Sequence, residues 1–311
     1  MPNVSPAASQ ARGTSRMLNH RPVMLAEALA GLAVHAGGIY VDGTYGRGGH
    51  SGAILDALAG SGMLHAMDRD PEAAAQAWKQ HAAAPNFRIH ARNFAELGAL
   101  AGELDIAGRI DGLLLDLGVS SPQFDDASRG FSFANDGPLD MRMDPLSGES
   151  AAQWLARAKD EEIADVLWRF GDERNSRRIA RRIVDTRGEA PLTSTAQLAA
   201  LIATVPGPRS HKIHPATRSF QAIRIHINGE LAALEAALAV SPALLAPGGR
   251  IAVISFHSLE DRMVKRFLRD HARGDAPAFK LLGRAQMPTD QEIALNPRAR
   301  SAVLRVAERL A

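Results

Sequence analysis

The sequence predicts an α/β protein in which a parallel sheet is covered by helices on both faces and interrupted by an all-helical insertion. Three observations predict it. Short apolar strand signals alternate with helical periods four times between residues 39 and 117. Only helical periods occupy 150–204, and an apolar strand run then returns at 244–256.

The elements follow in order. Pro22 suits a first helical position, where its missing N–H costs nothing, and Met24, Leu25, Leu29 and Leu32 recur at helical spacing. Ile39-Tyr40-Val41 reads as a first strand. The glycine-rich turn after it opens a helix with Ile54, Leu55 and Leu58, which ends at Gly60-Ser61-Gly62. Residues 63–67 give a second strand closed by Asp68-Arg69-Asp70-Pro71, and an alanine-rich helix follows. A strand at 87–90, a helix near 95–104 and the apolar run 110–117 complete the alternation. Residues 118–149, rich in Gly, Ser, Pro and Asp, are irregular. Helical periods such as Ala164-Asp-Val-Leu-Trp168 and Ile179-Ala-Arg-Arg-Ile183 come next, with Ser194 and Gln197 at capping-box spacing. One long helix is expected over 220–238, a fifth strand over 244–256 and an edge strand over 301–306. The expected organisation is a disordered tail at 1–18, a first core part at 19–144, an inserted helical substrate-recognition domain at 145–217 and a second core part at 218–311.

Composition narrows the chemistry. The chain has 311 residues, 46% of them hydrophobic, enough for a sizeable core, and a net charge of +2 that does not by itself announce a nucleic-acid binder. It has no cysteine, which excludes disulfides, thiolate metal sites and cysteine nucleophiles. The first residues lack the apolar stretch of a secretory signal, and no run of about 18 apolar residues offers a membrane span. A cytoplasmic location is the default expectation. No cluster of metal-ligand spacing stands out, so no metal is expected.

The segment Val41-Asp42-Gly43-Thr44-Tyr45-Gly46-Arg47-Gly48-Gly49-His50 leaves the first strand and opens a helix. Glycine is needed where backbone turns through positive φ or lies against a ligand. Asp68, closing the next strand, can accept the hydroxyls of an adenosine ribose. Both features also suit a nicotinamide dinucleotide enzyme. However, the glycines do not keep the spacing that sets a pyrophosphate on a helix N-terminus, and Ala246-Pro247-Gly248-Gly249-Arg250 is common before the fifth strand of methyltransferases. The methyl donor S-adenosylmethionine is favoured.

Further blocks carry a resemblance. Asp42-Gly-Thr-Tyr-Gly-Arg-Gly-Gly-His50, Leu114-Leu-Asp-Leu-Gly-Val-Ser-Ser-Pro-Gln123, Gly130-Phe-Ser-Phe133 and Asp136-Gly-Pro-Leu-Asp-Met-Arg-Met-Asp144 occur in order. So do His214-Pro-Ala-Thr-Arg218, Ser255-Phe-His-Ser-Leu-Glu-Asp-Arg262 and Asn296-Pro-Arg-Ala-Arg-Ser301. From about residue 20 to 310 the chain resembles the ribosomal RNA small subunit methyltransferase H family. The resemblance implies a class I, Rossmann-like S-adenosylmethionine-dependent methyltransferase core and methylation of a cytidine N4 in 16S ribosomal RNA, in the decoding region. It also implies that the donor is held at Gly48, Gly49, His50, Asp68, Phe94, Asp116 and Gln123. The partner implied is 16S ribosomal RNA, within the small ribosomal subunit; oligomeric state is not legible.

Transfer to an amine needs alignment and a proton acceptor. Asp116, or a backbone carbonyl of its turn, could accept from the amine; Asp116 as a mere holder of the donor is the open alternative. His257 is a substrate-side candidate, and Ser258 is expected to cap the helix starting there. The 136–144 block is expected either to order the loop into the insertion, with Arg142 pairing with nearby carboxylates, or to contact RNA. Basic residues crowd the insertion: Arg169, Arg174, Arg177, Arg178, Arg181, Arg182 and Arg187, followed by Arg209, His211, Lys212, His214 and Arg218. Asp172, Glu173 and Asp185 could pair with some of them. Phosphate contact is the reading taken, with Arg178, Arg182 and Arg218 as substrate-binding candidates. DNA or another amine as acceptor, a nicotinamide oxidoreductase and a non-catalytic RNA-binding assembly factor remain the competing functions.

Overall fold

The computed structural model describes residues 22–207 and 214–311. The tail expected at 1–18 and the basic residues Arg209, His211 and Lys212 lie outside the described residues. Strands β1 (Ile39–Asp42), β2 (Met63–Met67), β3 (Phe87–His90) and β4 (Ile110–Asp116) stand close to where the alternation predicts them. They join β5 (Leu245–Ser255), β6 (Phe279–Leu281) and β7 (Val303–Arg309) in one sheet of order β3-β2-β1-β4-β5-β7-β6. Strands β1 to β5 pair in parallel, while β7 runs antiparallel to both β5 and β6. The edge-strand expectation for 301–306 is therefore corrected, because β7 is paired on both sides. Its alternating pattern comes from Arg305, whose guanidinium meets Asp261 at 2.7 Å, rather than from a solvent-facing edge.

Period-two alternation sorts the strand side chains onto two faces. Tyr40, Leu114 and Ile254 pack with α1 (Leu25–Leu32), α2 (Gly49–Leu58) and α3 (Pro71–Gln80). Val41, Leu113 and Val253 face the other way, toward α4 (Leu97–Glu103), α11 (Glu230–Leu244) and α12 (Ser258–His271). Two helix starts differ from expectation. Pro22 is not in α1, which begins after Met24; the Met24 backbone is left-handed (φ 52°) and its N–H donates to Glu292 Oε1 at 2.6 Å. The long helix expected over 220–238 is two helices, α10 (Thr217–Asn228) and α11, broken at Gly229, which caps α10 in a left-handed conformation (φ 60°).

The irregular stretch 118–149 holds a short helix, α5 (Ser121–Asp125), and few other regular turns. Beyond it, α6 (Ala151–Arg157), α7 (Asp160–Gly171), α8 (Ser176–Glu189) and α9 (Thr195–Thr204) bury a separate apolar cluster around Trp154, Leu167, Ile183 and Leu198. Trp154 is fully buried and its indole N–H donates to Glu162 at 2.8 Å. The cluster extends past the 145–217 segment to Phe131, Leu139 and Met141 on one side and Phe220 and Ile223 on the other. Arg142 pairs with Asp140 (Nη2 to Oδ2, 2.7 Å), the carboxylate pairing expected of it. A short α13 (Asp290–Leu295) precedes β7. No described helix is long and apolar enough to cross a membrane.

Candidate active site

Strand order reverses between β1 and β4, and in open α/β sheets the crevice at that reversal receives ligands. Asp42, the last residue of β1, is completely buried. Its Oδ1 accepts from the Thr44 N–H (3.0 Å) and its Oδ2 from the Ser51 hydroxyl (2.7 Å), tying the loop to the first turn of α2. Thr44 Oγ1 in turn accepts from the Asp116 N–H at 2.6 Å, so the ends of β1 and β4 are held together. Gly48 sits at φ 75°, and a Cβ there would lie 2.3 Å from the Tyr45 hydroxyl; one on Gly49 would lie 2.2 Å from Pro22. The turn is thus held flat against the crevice by residues that tolerate no side chain.

Three carboxylates surround this turn. Asp68 accepts from the Gly46 N–H and the Asp70 N–H, both at 2.8 Å, directly behind the loop. Burial pushes its carboxyl up to about 6, against those hydrogen bonds. Asp116 is also pushed up to about 6 by burial, with His50 pulling the other way. His50 is buried, with Nε2 3.1 Å from the Val23 carbonyl and Nδ1 3.5 Å from Asp116 Oδ2. A carbonyl only accepts, so the ring nitrogen that faces it, Nε2, carries a proton. Asp116 Oδ1 is buried and has no hydrogen-bond partner among the described residues.

A cavity of about 400 Å³ opens here. Of the sequence-predicted residues, Gly49, His50, Asp116 and His257 line it. Gly48 and Asp68 lie behind its loop wall, and Phe94 packs against Gly43, 3.2 Å from where a Cβ would stand. Gln123 is turned inward. Its Oε1 accepts from Ser120 N–H (2.9 Å) as a capping box of α5, and its Nε2 donates to Asp70 Oδ2 (2.7 Å). Asp70 Oδ2 also receives buried Arg129 at 2.9 Å, which fastens the 118–149 stretch beside the turn.

The opposite wall comes from α10 and α12. The cap of α12 is His257, correcting the expectation for Ser258: its Nδ1 accepts from Glu260 N–H at 3.4 Å, while Glu260 Oε2 accepts from the His257 and Phe256 N–H groups. Ser258 is already helical, and a ring nitrogen reaches the third amide as a hydroxyl would. His257 Nε2 stands 3.2 Å from Glu260 Oε1, an ion-pair contact, and makes no hydrogen bond among the described residues. Arg224 of α10 also lines the cavity and grips Glu230 through two bonds of 2.8 Å. Burial would raise Glu260, but His257 and Arg224 outweigh it and hold the carboxyl below its ordinary range. Glu230, His257 and Glu260 are close enough together to hold an ion, yet Arg224 already supplies their counter-charge.

The mouth carries Phe124, with the Arg298 guanidinium 5.2 Å from its ring centre and ion-paired to Asp125. Arg178, Arg182 and Arg218 do not line this cavity. They are exposed on the helical region, Arg178 donating to the Pro206 carbonyl (3.2 Å) and Arg218 to the Asp172 carbonyl (3.1 Å). Sequence reasoning missed Thr44, Arg224, Glu260 and Phe124. Asp42 was readable as a carboxylate ending an apolar strand; Arg224 and Phe124 reach the cavity from distant segments and leave no local signal.

A sequence model of the MraW methylase family matches residues 17–310. A protein of Thioalkalivibrio sulfidiphilus named ribosomal RNA small subunit methyltransferase H is 59% identical, over 94% of this chain and 98% of its own length. Proteins of the same name from Xanthomonas campestris pv. campestris and Chromohalobacter salexigens are 56% and 53% identical, over 94% of this chain and 87% and 92% of their own. The chain belongs to the MraW methylase family.

Proposed function

We infer that this chain transfers the methyl group of S-adenosylmethionine to the N4 amine of a cytidine in 16S ribosomal RNA, in the decoding region of the small subunit. The observation that carries this reading is the unpartnered Asp116 Oδ1, buried in the cavity wall where β1 and β4 diverge. The shared name of the relatives supports the substrate class.

The residues present fit the donor. The Gly48-Gly49 turn leaves no room for a Cβ, and Asp68 keeps lone pairs free for ribose hydroxyls beyond its two backbone bonds. Phe94 stands beside the turn as a flank for adenine, and His50 and Gln123 brace Asp116 and the loop after β4. When bound, the sulfonium supplies an activated methyl group with a good leaving group.

The chain's own task is then alignment and proton handling. Asp116 Oδ1 accepts one N4–H of the cytosine, which concentrates lone-pair density on the nitrogen, and takes the proton that the amine sheds as the new C–N bond forms. His50, anchored on the Val23 carbonyl, holds the other carboxylate oxygen in place. On the far wall, His257 Nε2–H donates to a ring acceptor of the base, and Phe124 lies along its entry path. A base reaching this cavity must leave its stack. Segment 145–217 serves as the substrate-recognition domain, its exposed Arg178 and Arg182, with Arg218 just beyond it on α10, holding phosphates of the surrounding RNA. The reaction is placed in the cytoplasm, on RNA within the small subunit.

Mass mapping of 16S ribosomal RNA from cells with and without this protein tests the reading. A cytidine that loses its N4 methyl in the deleted strain, and regains it on incubation with the purified protein, is the expected result. An unchanged map, or calorimetry that finds no heat for S-adenosylmethionine or its demethylated product, sinks it. Methylation of DNA in preference to RNA or small subunits would redirect it to another acceptor.

A further inference from the structure

Helix α7 buries Ile163, Ala164, Val166 and Leu167, yet turns Trp168 outward with 54% of its surface exposed. Tryptophan supplies a large apolar face, and leaving it in water on a well-packed helix gives no folding benefit. The next helix shows a matching anomaly. α8 buries Ile179, Ala180 and Ile183, while Arg174, Arg177, Arg178, Arg181 and Arg182 before and along it are exposed. Among the described residues none of these arginines forms an ion pair. Glu173, the adjacent acid, is buried and accepts from the Asn175 N–H at 2.9 Å. Like charges at helical spacing destabilise a helix by a few tenths of a kcal/mol per pair, so helix stability does not explain the stripe.

These features meet in a cleft of about 600 Å³ bounded by Trp168, Arg174, Arg177 and Arg178, with Ala164 and Asp165 on its rim. One acid against three arginines leaves it positive. It shares no lining residue with the active-site cavity.

We propose that this cleft is a second RNA subsite, where an unpaired nucleobase stacks on the Trp168 indole and the phosphates beside it contact Arg174, Arg177 and Arg178. The combination of an aromatic plane and a cationic rim is the chemistry that holds single-stranded nucleic acid without reading its sequence. The proposal rests on the reading of the substrate as RNA and adds where a segment other than the target nucleotide is held. Stacking of one base on one aromatic ring changes affinity by about ten- to a hundred-fold.

The full-length chain with Trp168→Ala and, separately, Trp168→Phe tests this. Steady-state methylation of a naked 16S RNA fragment is measured beside direct binding of a labelled single-stranded oligoribonucleotide by anisotropy. Trp168→Ala is expected to raise KM for the RNA about tenfold or more while leaving kcat at saturating RNA and donor affinity unchanged, and Trp168→Phe to restore most of the loss. Unchanged KM and unchanged oligonucleotide binding in Trp168→Ala overturn the subsite. A defect seen only with assembled subunits, with naked RNA unaffected, also overturns it and assigns the cleft to a protein contact. If the wild-type chain methylates neither naked 16S RNA nor small subunits, the function proposed above fails; loss of oligonucleotide binding in Trp168→Ala would still support the subsite.

Discussion

Replacing Asp116 by Asn keeps the shape of the side chain and removes its charge. In the structure Oδ2 faces His50 Nδ1 at 3.5 Å and Oδ1 has no partner, so the substitution spares the backbone links through Thr44 and alters only what the carboxylate does. A positioned proton acceptor contributes about 10² to 10⁴ in rate, or roughly 3 to 5 kcal/mol of barrier. The variant is expected to lose turnover by that factor in single-turnover methyl incorporation with donor and RNA both saturating. At subsaturating donor the wild-type rate should fall as pH drops through about 6, where the carboxyl of the donor-free chain takes up its proton, and the variant should lack that limb. Stability supplies an internal control. The carboxyl stands at about 6 in the folded chain against an ordinary 3.8, so its contribution is fully present below 3.8 and is lost as pH rises through 6. Two pH units bound that loss at about 3 kcal/mol, so the Asn variant should melt no lower than wild type near pH 8. A fully active variant with weakened donor binding would refute proton acceptance and leave Asp116 as a holder of the donor.

Gly48→Ala places a Cβ at φ 75° and 2.3 Å from the Tyr45 hydroxyl, so it is expected to cost about 1–3 kcal/mol in backbone strain alone, read as a lower Tm, and to weaken donor binding tenfold or more by calorimetry. Buried His65, lying 3.2 Å from His90, is pushed down to about 4 by burial, with His90 adding to it. The unfolded chain therefore binds the extra proton first, and stability should fall between about pH 6.5 and 4 by up to roughly 3 kcal/mol, with His65→Leu flattening the profile in denaturant titrations. Arg178→Gln and Arg182→Gln should each raise KM for RNA at low salt and reduce the slope of log KM against log salt by about one; unchanged slopes would remove both from phosphate contact.

Much of the core was legible because its signals are local. An apolar tripeptide before an Asp-Gly turn, such as 39–41, has few alternatives to a buried parallel strand, and Met63–Met67 and Phe87–His90 fall where alternation puts them. Errors arose where a local pattern had a long-range cause. The alternation of β7 depends on Asp261 meeting Arg305, and the continuous apolar spacing over 220–238 masks the stop at Asn228-Gly229. Half of the site was legible for the same reason: Gly48, Gly49, His50 and Asp68 are neighbours of strand ends. Arg224 is not: it reaches the cavity from α10, far along the chain from the turn, while the buried Arg129–Asp70 pair, 59 residues apart, fastens the 118–149 stretch that carries Phe124 beside the turn.

Charge resolves the choice between donors that glycine spacing left open. Asp42, Asp68 and Asp116 surround the turn, and among the described residues no arginine or lysine side chain pairs with any of them. Two unit charges 4 Å apart interact by about 4 kcal/mol at an effective dielectric of 20, so each carboxylate near the turn opposes the two negative phosphates of a dinucleotide by an amount of that order. The same field attracts a sulfonium. The sign also matters for the next step. Burial holds Asp116 near the point of protonation, and a cation placed beside it favours the ionised form. If Asp116 is the acceptor proposed above, arrival of the donor shifts its carboxyl toward the state that can accept from the amine, coupling donor binding to readiness of the base.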